Sequence, residues 1–113
     1  MAAVYSTQLV AASGVSGGPI PAFTVPAGKV AVVKFMTITV GLNLVPCWGA
    51  FKQSSSGGII HSFGLGVADV PSHDKQTYPV YCTVVLEPGE DLLIETSSCT
   101  CDFAAGGYLL SLP

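Results

Sequence analysis

The chain has 113 residues, half of them apolar and only 10% charged, with a formal net charge of −3. It contains no arginine, and Lys29, Lys34, Lys52 and Lys75 are scattered, so the clustered basic footprint that nucleic-acid binding needs is missing. Soluble domains average about 25% charged residues, and a chain this poor in charge is expected to hide surface against copies of itself or a partner.

The first ten residues, MAAVYSTQLV, carry no basic segment and no long apolar run, so they do not read as a secretory leader. The expectation is one domain spanning 1–113, made in a cytoplasm, with residues 1–18 as a partly extended N-terminal arm. Dense turn punctuation divides the chain: SGVSGGP at Ser13–Pro19, PAG at Pro26–Gly28, SSSGG at Ser54–Gly58, VPSHD at Val70–Asp74, EPGED at Glu87–Asp91 and AAGG at Ala104–Gly107. Between these lie short runs rich in Val, Ile, Thr, Phe and Tyr. They predict strands at Tyr5–Ala11, Ala22–Val25, Val30–Val40, Cys47–Gln53, Ile59–Leu65, Val80–Leu86, Asp91–Thr96 and Thr100–Leu112, the last breaking at Gly106–Gly107.

Val30–Val40 is the most informative of these. Strict alternation puts Val30, Val32, Lys34, Met36, Ile38 and Val40 on one face and Ala31, Val33, Phe35, Thr37 and Thr39 on the other. Both faces carry large apolar groups, which predicts cover on both sides. The stretch Val30–Phe51 does not read as a membrane helix, because Lys34, Thr37, Thr39, Asn43 and Pro46 interrupt it. About eight short strands with no helical periodicity predict an all-β fold: a single antiparallel β-sandwich of jelly-roll type.

Residues with chemical potential are few. Cys99 and Cys101 share one face of a predicted strand and could supply half a metal site with Cys47, Cys82 or a histidine. Reduced, partly buried thiols are the first reading, a disulfide the second and the metal site the third. PSHDK at Pro71–Lys75 sets Ser72, His73 and Asp74 side by side, but a hydrolytic triad needs such groups converging from separate elements. His61 reads as a strand histidine with one hydrogen bond. Glu87, Glu90, Asp91 and Glu95 gather around one turn, as the wet end of a hairpin does. The closely spaced oxygens of a calcium loop are absent, as are phosphate-binding loops and zinc-protease or hydrolase signatures. No catalytic, cofactor-binding or metal-binding residue is assigned, and no enzyme is read.

Two stretches repeat one pattern: TVPAGKVAVVKF at Thr24–Phe35 and VLEPGEDLLIE at Val85–Glu95. In each, the proline presets φ, the glycine permits the turn and a charged residue keeps the corner wet. Together with the terminal GGYLLSL at Gly106–Leu112, they resemble a recurrent pattern of small virion proteins of tailed bacteriophages, of the capsid decoration or minor tail type. The resemblance covers the first and last thirds of the chain. It implies a β-sandwich that associates with itself and with other virion proteins such as the major capsid or tail protein, localised in the virion and assembled in the host cytoplasm. Cupins share the PG corners, but their metal site needs an H-x-H pair, and only His61 and His73 are present.

The function expected is therefore a non-enzymatic virion component that decorates or stabilises the capsid, with a minor tail or head–tail protein as the alternative. It needs no cofactor, nucleic acid or membrane, and its expected state is a homo-oligomer. Tyr5, Leu9, Phe23, Trp48, Phe51, Phe63 and Tyr108 are the expected core or interface anchors. Lys29 stands at one corner and the acids at the other, an opposition that could orient neighbouring copies. Two rival classes remain: a carbohydrate-binding module with an exposed aromatic platform around Trp48, and a small jelly-roll metalloenzyme using His61.

Overall fold

The computed structural model describes residues 7–40, 47–54, 60–68, 76–97 and 100–112. Eight strands follow one another: β1 (Thr7–Val15), β2 (Ile20–Thr24), β3 (Lys29–Val40), β4 (Cys47–Ser54), β5 (Ile60–Ala68), β6 (Gln76–Leu86), β7 (Asp91–Ser97) and β8 (Cys101–Ser111). They form two four-stranded antiparallel sheets, ordered β1-β8-β3-β6 and β2-β7-β4-β5. Successive strands mostly alternate between the layers, which is jelly-roll topology. Thr7–Val15 is fully engaged as β1 on β8; residues 1–6, including Tyr5, lie outside the described part, as do Cys99 and PSHDK.

The core lies between the sheets. Alternate residues of β3, β7 and β8 point into it, and Met36, Ile38, Phe51, Leu86 and Leu92 are completely buried. Phe51 from one sheet meets Phe103 from the other edge to face, with centroids 5.3 Å apart and planes at 83°. That arrangement sets the positive ring edge against the negative face and adds to the area both rings bury.

The alternation in β3 is broken at one point. Val33 pairs with Gly107 and Phe35 with Gly106, so Lys34 is an extra residue relative to β8. This bulge reverses the phase of the strand. The core face is Ala31, Val33, Met36, Ile38 and Val40, while Lys34 and Phe35 both face outward. The two faces read from strict alternation are therefore corrected: the aliphatic residues collect on one side, and Phe35 is the large group sent to the other. The expected break at Gly106–Gly107 does not occur, and β8 runs through both glycines. Gly107 lets the bulged backbone approach, since a Cβ there would lie 1.9 Å from the Val32 carbonyl oxygen.

The two look-alike corners sit side by side. Lys29 N–H donates to the Pro26 carbonyl (3.2 Å) and Glu90 N–H to the Glu87 carbonyl (3.0 Å), closing two four-residue turns. Gly28 and Gly89 take the third position of each, at φ 77° and 82°, as a type II turn requires. Only Pro88 occupies the second position, where a preset φ helps; Pro26 comes first in its turn. The corners also bond to each other, Val25 N–H to the Glu90 carbonyl and Gly89 N–H to the Val25 carbonyl, both at 3.0 Å. One corner carries the chain from β2 to β3 and the other from β6 to β7, so the pair ties the two sheets together at one end.

Candidate interaction face

The two outer faces of the sandwich differ in chemistry. On the β2-β7-β4-β5 sheet, register places Trp48, Ala50 and Lys52 of β4 beside Ser97, Glu95 and Leu93 of β7. Ala50 and Leu93 are buried although they face away from the core. Lys52 pairs with Glu95, both side chains being largely covered. Glu95 Oε1 is buried, and the Lys52 ammonium compensates its charge. The same ammonium lies 6.0 Å from the centroid of the Trp48 ring, at the outer limit of a cation–π contact. Trp48 is half-buried. The side chains of residues 63–68 on this sheet, Phe63 and Leu65 among them, lie outside the described part, as does that of His61.

On the β1-β8-β3-β6 sheet, cross-strand register sets Val30 beside Leu110, Val32 between Tyr108 and Val85, and Phe35 between Gly106 and Tyr81. These residues all point away from the core. Tyr81 is 83% exposed, Val85 49%, Phe35 41% and Leu110 40%. Scattered exposed apolar residues are ordinary, but a contiguous group on one sheet face marks a contact surface. The half of the face nearest the paired corners is thus apolar, with Lys34 as its charged member; Lys34 Nζ donates to Thr83 Oγ1 at 3.1 Å.

The far half of the same face is polar and hollow. Gln8, Ser13, Thr37, Thr39 and Asp102 rim a depression of about 260 Å³ over Ala104. Thr39 and Thr77 share a hydroxyl hydrogen bond of 3.0 Å, and Asp102 Oδ1 accepts from Gly14 N–H at 2.9 Å. Small side chains on β8 produce the hollow, since Ala104 lies between Ala11 and Thr37 in register.

The anchors expected from sequence fall in different places. Phe51 is completely buried, and Leu9 and Phe23 pack partly buried against the core. Tyr108 lies half-buried on the outer face of β8. Lys29 opens β3 at the corner. The acids of the second corner find partners within the molecule: Glu90 Oε1 accepts from Glu87 N–H (2.6 Å) and Gln53 Nε2 (3.2 Å), and Asp91 Oδ1 accepts from Thr24 Oγ1 at 2.5 Å. Cys101 is buried in the core. Sequence reasoning missed Phe35, Tyr81, Val85 and Leu110 as surface residues, because only the bulge in β3 and the register of its neighbours reveal which way they point. Among the described residues, no three His, Cys, Asp or Glu side chains gather where a metal could be held, and no helix is long and apolar enough to cross a membrane.

Two solved structures define the class of fold. The chain superposes on a chain from the structure of infectious bursal disease virus, Gx strain, with a TM-score of 0.53 at 10% identity, covering 95% of this chain and 31% of the viral one. It also superposes on the globular domain of zebrafish complement 1qA with a TM-score of 0.50 at 12% identity, covering 97% of both chains. The chain is an all-β, jelly-roll-type β-sandwich. At these identities the likeness concerns the fold alone, and this chain spans less than a third of the viral chain's length. No family model matches the sequence, and no curated protein matches it.

Proposed function

We propose that this chain is a non-enzymatic structural component of a bacteriophage virion that acts by association, with itself and with other virion proteins, to decorate or stabilise the capsid. The observation that carries the reading is the outer face of the β1-β8-β3-β6 sheet, where Phe35, Tyr81, Val85 and Leu110 stand in solvent on one surface. Three things support it further. The paired VPAGK and EPGED corners resemble those of small phage virion proteins, the chain has few charges, and a chain in a virus structure shares its fold. The described chemistry is that of surfaces: carboxylates on backbone N–H groups, hydroxyl pairs and one ion pair.

Quantitative mass spectrometry of purified particles tests this. Hundreds of copies per particle are expected for shell decoration, and a few copies would assign the chain to the tail or head–tail connection. Complete absence from particles would overturn the virion role.

A further inference from the structure

Given that this protein works by association, the structure assigns the place and the geometry. We infer that two copies of the chain meet through the outer faces of their β1-β8-β3-β6 sheets, with the strands of both copies pointing the same way. The inference rests on the self-association read above and adds the face, the occupant and the orientation.

The face is chosen by contrast. Among the described residues, the other sheet leaves Ala50 and Leu93 buried beside the Lys52–Glu95 pair and Trp48, and its exposed large hydrophobic is Ile20 on the edge strand β2. The β1-β8-β3-β6 face leaves its apolar groups open. The bulge at Lys34 is what turns Phe35 outward; were Lys34 regularly paired, the phase of Ala31 and Val33 would carry Phe35 into the core. The bulge thus delivers an aromatic ring to this surface.

The occupant is chosen by area and charge. Four strands about 4.8 Å apart and about 3.3 Å of rise per residue over strands of eleven residues give a face of roughly 700 Å². A standard interface takes about 800 Å² from each partner. Contacts between identical subunits are the more apolar kind, with charge depleted at the centre. The outward positions of β3 and β8 hold one lysine and one aspartate, Lys34 and Asp102, each already hydrogen-bonded within its own molecule.

The orientation follows from the division of the face along its strands. The corner end is apolar and the far end is the hydroxyl-rimmed hollow. A rotation axis parallel to the strands sets apolar against apolar and hollow against hollow. An axis across the strands would lay Val32, Val85 and Tyr108 at the level of Thr37, and Val30 and Leu110 at that of Thr39 and Asp102, burying polar groups against hydrocarbon at a cost. A closed assembly about a strand-parallel axis also leaves no copy of the face free to recruit indefinitely.

Sedimentation of the full chain tests the face. Wild-type protein is expected to be a stable oligomer at micromolar concentration. Tyr81→Glu, at a position so exposed that folding does not depend on it, is expected to weaken association at least tenfold, with an unchanged circular dichroism spectrum. Ser62→Glu, exposed on the other sheet, should leave association as it was. A Tyr81→Glu protein as oligomeric as wild type, or a wild-type monomer, overturns the inference. Benzoylphenylalanine placed at position 85 tests the orientation. Photocrosslinks between copies should map to the corner half of the face, around Val30, Val32 and Tyr108, and crosslinks to Thr37 or Ala104 would refute it. Failure here is separable from failure of the virion role: a protein that joins particles through another surface keeps that role and loses this one.

Discussion

A methyl group at Gly107 would stand 1.9 Å from the Val32 carbonyl oxygen and 3.0 Å from the Val33 Cα. Backbone cannot yield as the end of a flexible side chain can. Gly107→Ala is therefore expected to cost about 3–5 kcal/mol or to prevent folding, read as the shift in a urea unfolding midpoint. Gly89 makes a useful comparison. Nothing crowds the space beside it, but its φ of 82° is left-handed, which costs an alanine roughly 1–2 kcal/mol. Gly89→Ala should thus fold, with a smaller shift in the same experiment. Glu90→Ala belongs with the smaller of the two. It leaves Glu87 N–H and Gln53 Nε2 without their shared acceptor, an expected loss of about 1–2 kcal/mol at this exposed corner.

At the level of the strand, the bulge in β3 is the element most open to test. Deleting Lys34 would remove the extra residue and still leave Phe35 outward, with Met36, Ile38 and Val40 in phase with Ala31 and Val33. Regular pairing of Lys34 would instead send Phe35 inward and those three outward, because a one-residue slip sends every later side chain to the opposite face. Both the deletion and Lys34→Ala are therefore expected to fold by circular dichroism, and an unfolded deletion variant would show that the sheet needs the bulge itself. The same bulge marks where sequence reading stops. All eight strands were legible, since β-branched runs between Gly- and Pro-rich corners leave little else to form, and the jelly roll followed from their number. The facing of β3 was not legible: an extra residue has no signature when Lys and Phe are both admissible outside a sheet. The candidate face was hidden with it, because Tyr81 and Val85 acquire a direction only from their register with β3. The paired corners were legible as equivalents but not as neighbours, which depends on both chain crossings occurring at one end.

Across the whole molecule, charge is a minor partner. If the assembly forms through a face with one lysine and one aspartate on its central strands, its dissociation constant should change less than about twofold between 50 and 500 mM salt, because screening acts on charges and leaves apolar burial in place. Sedimentation at both ionic strengths measures this, and a tenfold weakening in high salt would point instead to contacts at the charged corners, where Lys29 and the acids stand.

The pairing of β1 with β8 also has a consequence in time. More than eighty residues separate Val15 from Cys101. A ribosome adding roughly 5–20 residues per second needs on the order of ten seconds to make them. Throughout that interval β1 has no neighbour in its sheet, and β3 lacks the strand that separates it from β1. The nascent chain must therefore carry an incomplete layer until its last strand emerges, and the final insertion of β8 between β1 and β3 is the step at which the sandwich closes.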